Sequence, residues 1–367
     1  MDQVKYNTLI EALKDIPDPR HARGKRHEWG VILALIVLGI LHGERTPHGI
    51  GRWVTLNKEA LLALIHPSRG YLPSEATLRR ALLLMDIEQG ERIVSCFTLS
   101  QQDKIDQKER VLRGIALDGK KIRGVGKHGK NIHLLSVVYH APPVVIAQRE
   151  VTVKKNEISE APELLKQVNL RGYVVTADAL LTQRKICRQI VAQDGHYLMV
   201  VKGNQPKLEE AIAYLFDNPP WTIQEKKLEY RRFTFVDKGH GRLEKRTLET
   251  STALNEYLNW PHLQQVMRRT TSRTDLRTGV TSESVTYGIT SISMAEADAA
   301  QLEQIWRGHW TIENKVHYVR DVSMGEDAGQ AYSGHIPQAL ALLRNMVLTL
   351  LRVSKWQSIP EAFRYYR

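Results

Sequence analysis

Cysteine is almost missing from this chain: there are two among 367 residues, Cys96 and Cys187, with no CxxC pair and no zinc-like spacing. A disulfide-stapled secreted scaffold is therefore excluded, and a reducing compartment such as the cytoplasm fits. Long apolar runs are missing too. The longest, "VILALIVLGIL" at 31–41, is too short to span a bilayer and lies too far in for a cleavable leader. It reads as a buried helix, and no membrane partner is expected. Proline and glycine are sparse, at 14 and 24 residues, and no repeat or low-complexity tract is visible, which argues against extended disorder. Acidic residues are in deficit, 40 against 52 Lys and Arg. The resulting charge of +12 and isoelectric point near 9.6 favour a polyanionic partner, most often nucleic acid.

A chain of this length exceeds one ordinary core, so a main domain with appendages is expected. Residues 1–108 read as helical, with apolar residues at helical spacing in "YNTLIEALKDI", "VILALIVLGIL", "EALLALI" and "ATLRRALLLMDI". Ser74 suits the N-cap of a helix carrying Arg79 and Arg80. Together with "RHARGKRH" at 20–27, this region fits either a DNA-contacting module related to the helix-turn-helix or a helical bundle with a solvated basic surface. Residues 109–218 change period. The runs "VLRGIALDGKKIRG", "NIHLLSVVYH", "PVVIAQREVTV", "GYVVTADAL" and "GHYLMVVKGN" are β-branched and bounded by turn residues, and helical segments follow the third, fourth and fifth. An α/β fold with a sheet of mixed direction follows. Residues 219–285 are polar, threonine-rich and alternating, which predicts a β-rich insertion returning to the main sheet, and 286–367 are helical again.

Asp118 follows "GIAL" and Asp178 follows "YVVTA", so both sit at the carboxyl end of a predicted buried strand, where ligands collect in open sheets. A lone aspartate there more often makes a turn or an N-cap; two invite a shared site. The stretch "HWTIENKVHYVRDVSMGED" at 309–327 supplies a third acid. At 3.6 residues per turn, Trp306, Glu313 and Arg320 fall on one stripe, with His309, Trp310 and His317 beside it. Asp321, Glu326 and Asp327 lie toward or past its end; Glu326 and Asp327 suit pairing with a neighbouring basic strand. Three carboxylates from two strand ends and a helix match the hard oxygen donors that Mg²⁺ prefers.

The blocks "ALDGKKIRG", "VVTADALLTQ", "YLMVVKGNQP", "KGHGRLEKR" and "RGHWTIENKVHYVRDVSMGEDA" together resemble the ordered signatures of a DDE-type insertion-sequence transposase, in the branch of the H-repeat-associated proteins. "DPRHARGKRHEWGVILALIVLGILHG" resembles that branch's accessory N-terminal domain, so the likeness covers nearly the whole chain. The resemblance implies a ribonuclease-H-like core in two parts, 109–218 and 286–367, split by the insertion. It implies a metal triad of Asp118, Asp178 and Glu313 holding two Mg²⁺, or Mn²⁺, and DNA cleavage followed by strand transfer. It also implies a cytoplasmic, nucleoid-associated protein that forms a homo-oligomer on DNA. Related transposases carry Tyr, Arg, Glu and Lys at the spacing of Trp306, His309, Glu313 and Arg320; only the Glu is identical here. Candidate DNA contacts are Arg79, Arg80, Lys120, Lys121, Arg123, Lys202, Asn204, Gln205, Arg242, Arg246, His309 and Arg320. Two other readings remain: an inactive or domesticated DNA-binding descendant, and a non-transposing nuclease on the same core.

His309, Glu313 and His317 repeat every four residues, a zinc-like row, but eight residues of helix rise about 12 Å, too far to grip one ion. "GVGKHGK" at 124–130 matches a dinucleotide fingerprint yet precedes a strand, so a glycine-rich hairpin loop is expected and no nucleotide cofactor. Asn204 and Gln205 serve equally well as caps of the helix that begins at Pro206. Alternation places Arg242, Glu244 and Arg246 on one strand face, either tracking phosphates or solvated.

Overall fold

The computed structural model describes residues 8–105, 112–122, 132–151, 156–220, 230–239, 241–329 and 331–367. The β-branched runs fold as β1 (Arg113–Ile122), β2 (Ile132–Tyr139), β3 (Val145–Val151), β4 (Tyr173–Ala177) and β5 (His196–Val201). The threonine-rich region supplies β6 (Tyr230–Gly239), β7 (Arg242–Ser251), β8 (Gln265–Asp275) and β9 (Thr281–Thr290). Hydrogen-bonded neighbours run β3-β2-β1-β4-β5-β9-β8-β7-β6. β4 lies parallel to both β1 and β5, while β9 pairs antiparallel with β5. The sheet is therefore large and mixed.

The chain divides into two compact units, one formed by Met1–Glu109, Gly119–Lys155 and Ile312–Arg367, the other by Arg110–Asp118 and Asn156–Thr311. Among the described residues of the first unit, six α-helices precede the sheet: α1 (Leu9–Asp15), α2 (Trp29–Leu41), α3 (Pro47–Leu56), α4 (Lys58–Ile65), α5 (Glu75–Leu84) and α6 (Ile87–Ile105). Apolar spacing predicts only four of these. The third starts on local chemistry instead, because Thr46 Oγ1 accepts the Gly49 N–H at 3.0 Å and Pro47 opens the first turn. In α6 polar residues dilute the apolar stripe at both ends. Ser74 occupies the predicted N-cap position of α5, but its hydroxyl meets Thr77 Oγ1 and caps no backbone N–H.

Long helix α11 (Ile336–Val353) forms the core of this unit, with α2, α5 and α6 packed on it. Among the described helices it alone is long and apolar enough to cross a membrane, and 89% of that window is buried inside the protein. In the N-terminal region α2, α5 and α6 are thus packing elements.

In the second unit α7 (Glu157–Leu165), α8 (Arg184–Ala192) and α9 (Pro206–Asp217) join the strands. Helix α10 (Ala299–Gly308) lies over one sheet face, its start fixed by a capping box in which Asp298 accepts from the Gln301 N–H. Ile305 and Trp306 of α10 bury themselves with Val174, Leu198, Val200, Leu248 and Met267. The indole of Trp306 reaches so close to Gly288 that an added Cβ there would meet it at 2.6 Å. Gly288→Ala is expected to cost about 1–3 kcal/mol of stability through overpacking, measured by urea denaturation; a loss well under 1 kcal/mol would show that the indole can yield.

Candidate active site

Parallel pairing sets the first part of the site. β1 and β4 run in register from Arg113 with Tyr173 to Leu117 with Ala177. The next residues, Asp118 and Asp178, therefore come level where this ladder ends, about 5 Å apart along the backbone and on the same face; Asp178 directly follows β4, but Asp118 lies inside β1, which runs on to Ile122, so the expected strand-end position holds for Asp178 alone. Asp178 opens a short 3₁₀ turn, Ala179–Leu181, yet its carboxylate caps nothing and its side chain is 60% exposed. The capping explanation thus fails for its side chain, although its carbonyl does accept the turn bond from the Leu181 N–H at 3.0 Å.

The same face carries Thr176, two residues before Asp178. Its hydroxyl donates to the Ile115 carbonyl at 3.1 Å and lies 3.0 Å from His309 Nδ1, just past the end of α10. With that proton committed, the hydroxyl accepts from Nδ1–H, and Nε2 turns to Asp178 Oδ1 at 3.8 Å. Burial holds the imidazole below its ordinary range, opposed by the Asp178 charge. Thr176 is a site residue that strand alternation alone could have found.

Beyond His309 the helix changes winding, and Ile312–His317 and Val319–Ser323 are π-helical. Hydrogen bonds from i to i+5 put more residues in each turn, so the predicted stripe of Trp306, Glu313 and Arg320 does not survive. Trp306 is core, Glu313 is exposed, and Arg320 is wholly enclosed. Glu313 Oε2 lies 3.4 Å from His317 Nδ1. His309 is engaged with Thr176, which breaks the zinc-like row. Asp118 in one unit, and Glu313 with His317 in the other, carry donors of the kind a divalent ion takes.

The candidate DNA contacts divide sharply. Arg79, Arg80, Lys121, Lys202 and Arg242 are exposed. Three expectations are corrected. Lys120 is 6% exposed and paired with Asp321 and with Glu326 at 3.1 Å. Arg320 is 0% exposed, its guanidinium shared among Glu326, Gln148 and Asn345. Arg246 is buried and spends its guanidinium on Glu244. None of the three presents a cation to a phosphate. Asn204 and Gln205 do not cap α9; they donate to the carbonyls of Ala179 at 2.5 Å and Thr182 at 3.1 Å, bracing the turn after Asp178. Arg123 and the loop at 124–130 lie outside the described residues.

A family model described as the transposase DDE domain matches residues 109–350, and one described as DDE_Tnp_1-associated matches residues 10–98. The chain belongs to the DDE-domain transposase family. It is 29% identical over 360 residues to YncI of Escherichia coli O157:H7, which bears a transposase name, covering 96% of this chain and 89% of that one. YhhI of Escherichia coli K12, named as H repeat-associated and as a transposase, is 25% identical across 96% of this chain and 92% of its own. An uncharacterized protein of Xanthobacter autotrophicus is 30% identical over 69% of this chain and 84% of its own length.

In this DDE-domain protein the side chains around Arg320 form a continuous buried network within the first unit. Glu91 accepts from Gln148 Nε2 at 2.8 Å, Gln148 Oε1 accepts from Arg320 Nη1 at 2.7 Å, and Arg320 Nη2 donates to Glu326 Oε1 at 2.8 Å. Burial pushes the Glu326 carboxyl up, but Arg320, Arg344 and Lys120 together outweigh it and hold the group at about 2. The Lys120–Glu326 pair realises the suggested contact of Glu326 with a basic strand. Gln148, Asn345 and Glu91 carry no sequence signal, being single polar residues far apart in the chain.

Glu91 is the opposite case from Glu326. Burial raises it from 4.5 to about 7, against the lowering influence of Gln148 and Arg320. Between those two values the unfolded chain has released the proton while the folded chain still holds it, so stability falls as pH rises through this window. Glu91→Gln should melt level with the parent near pH 4.5 and several degrees higher at pH 8 in scanning calorimetry. A difference that stays constant with pH would contradict this.

Proposed function

We propose that this chain is a DNA transposase that cleaves at the ends of its mobile element and joins them to target DNA, using Asp118, Asp178 and Glu313 on a ribonuclease-H-like sheet. The observation that supports this reading is the level placement of Asp118 and Asp178 where the parallel β1–β4 ladder ends, in a member of the DDE family. The donor set fits hard divalent ions: the three proposed ligands are carboxylates, and Asp178 and Glu313 are more than half exposed, open to an incoming phosphodiester. When bound, two Mg²⁺ or Mn²⁺ would activate the attacking oxygen and stabilise the leaving one.

Asp118 and Asp178 direct their oxygens from one sheet face. His309, oriented by Thr176, fixes the imidazole edge that Asp178 meets. Glu313 completes the carboxylate set and takes the proton of the attacking oxygen. Water attacks phosphorus first and frees a 3′ hydroxyl; that hydroxyl then attacks a target phosphodiester, one phosphorus–oxygen bond replacing another with no covalent protein intermediate. Exposed cations, Arg79, Arg80, Lys121, Lys202 and Arg242, hold the backbone without reading sequence. The residue ranges 1–108, 109–218, 219–285 and 286–367 serve as accessory domain, first core part, insertion and second core part. Joining two ends at once calls for at least two protomers on the DNA.

Asp118→Asn, Asp178→Asn and Glu313→Gln are each expected to drop cleavage of labelled terminal DNA below detection in Mg²⁺ or Mn²⁺. DNA affinity should stay within a few fold, because phosphate contacts carry most of it. Undiminished cutting by all three variants would sink the triad. Binding by the parent without nicking would favour the inactive descendant, and cutting without joined products the non-transposing nuclease.

A further inference from the structure

Past the end of α11 the chain turns sharply into a further helix, α12 (Ile359–Tyr366), all within the first unit. Local bonds fix the turn. Lys355 takes the left-handed backbone conformation, the Trp356 N–H donates to the Leu351 carbonyl at 3.0 Å, and Arg352 Nη1 donates to the carbonyls of Trp356 and Gln357 at 3.0 and 2.9 Å. Ser358 then caps α12, its hydroxyl accepting from the Glu361 N–H at 3.4 Å, with Pro360 in the first turn. Ile359, Ala362 and Phe363 share one helical stripe and are buried, which turns Arg364 and Tyr365 toward solvent.

This arrangement gathers Trp356, Tyr365 and Tyr366 into one aromatic cluster. Ring centroids lie 5.1 Å apart for the two tyrosines, and 5.4 and 6.1 Å from Trp356 to Tyr365 and Tyr366. The ring planes cross at 49° to 89°, so no pair lies flat and none closes a neighbour's face by parallel stacking. A cluster that served only packing would be enclosed, yet Tyr365 is 72% exposed and Tyr366 40%. Around the rings, residues 355–367 carry Lys355, Arg364 and Arg367 against the single carboxylate of Glu361, and all three cations are exposed. Arg367 Nε donates to the His42 carbonyl at 3.3 Å, which ties the end of the cluster to the residue after α2. Open ring faces beside unneutralised cations match a ligand that is flat, apolar and polyanionic at once. A second copy of this chain would bring the same cations and be repelled; a nucleic-acid single strand offers bases to the rings and phosphates to the cations.

We propose that Trp356, Tyr365 and Tyr366 form a stacking platform for unpaired DNA bases, with Lys355 and Arg364 meeting the adjoining phosphates. This rests on the reading of DNA as the partner and adds a single-strand site that uses none of the proposed metal ligands.

The test measures anisotropy of a labelled oligothymidylate of about eight nucleotides, within the span single-strand sites cover, with the full chain in a chelator so that no cutting intervenes. An abasic strand of equal length supplies the phosphates without the bases. The parent should bind thymidylate at least about tenfold more tightly than the abasic strand, in line with base-on-ring stacking elsewhere. Tyr365→Ala with Tyr366→Ala, folded by circular dichroism, should lose that margin while holding the abasic strand and duplex DNA as the parent does. Tyr365→Phe with Tyr366→Phe should keep it, since stacking needs the ring and not the hydroxyl. Equal binding of the two strands by the parent, or a loss below threefold in the alanine variant, overturns the proposal. Arg364→Gln should flatten the salt dependence of thymidylate binding, and an unchanged slope refutes its phosphate contact. If sedimentation instead shows a dimer that the alanine variant splits while thymidylate binding stays intact, the cluster joins copies of the chain and the proposal falls. Failure of the transposase reading looks different: terminal DNA stays uncut in Mg²⁺ or Mn²⁺, whatever the oligothymidylate does.

Discussion

Parallel pairing of β1 with β4 is the constraint from which the rest of the candidate site follows. Residues opposite one another in a parallel ladder share a face, so a register that joins Leu117 to Ala177 leaves the next two residues no choice but to stand side by side. Both are aspartates. A one-residue slip would send one carboxylate to the other face of the sheet. The buried runs before each aspartate make such a slip costly, because Ile115, Ala116, Leu117, Val174, Val175 and Ala177 are all enclosed and would have to exchange surroundings.

A second theme is the fate of positive charge in a chain with a surplus of twelve. Excess charge predicts a polyanionic partner but does not say which cations face it. Lys120, Arg246, Arg320 and Arg344 are turned inward and neutralised by carboxylates, while Lys121, Lys202 and Arg242 remain at the surface. Lys120 and Lys121 are adjacent, and strand alternation sends them to opposite faces with opposite duties. The inward group creates demand for fully hydrogen-bonded partners, which Gln148 and Asn345 meet from β3 and α11.

Winding of the segment after α10 is where sequence periodicity misleads. An ideal helix aligns Trp306, Glu313 and Arg320, but two π-helical turns intervene and the three go to different surroundings. Trp306 is claimed by the space above Gly288, a demand set by a residue distant in sequence. Arg320 is claimed by Glu326. Neither demand is written in the local pattern, which is why the stripe looked plausible and fails.

What could be read in one dimension was what depends on near neighbours. Strands β1 to β5, the helices between them, Pro206 opening α9 and Asp178 directly after β4 all follow from β-branched runs, turn residues and caps acting within a few positions, whereas β1 runs four residues past Asp118. Helices α3 and α6 escaped because mixed composition blurs their apolar spacing, although Thr46 and Pro47 announced the start of α3. The pairing of β1 with β4, the engagement of His309 by Thr176, and the burial of Lys120, Arg246 and Arg320 needed the folded chain. Each is a meeting of residues far apart in sequence, and the choice between surface and interior for a charged side chain rests on whether a counter-charge arrives to meet it.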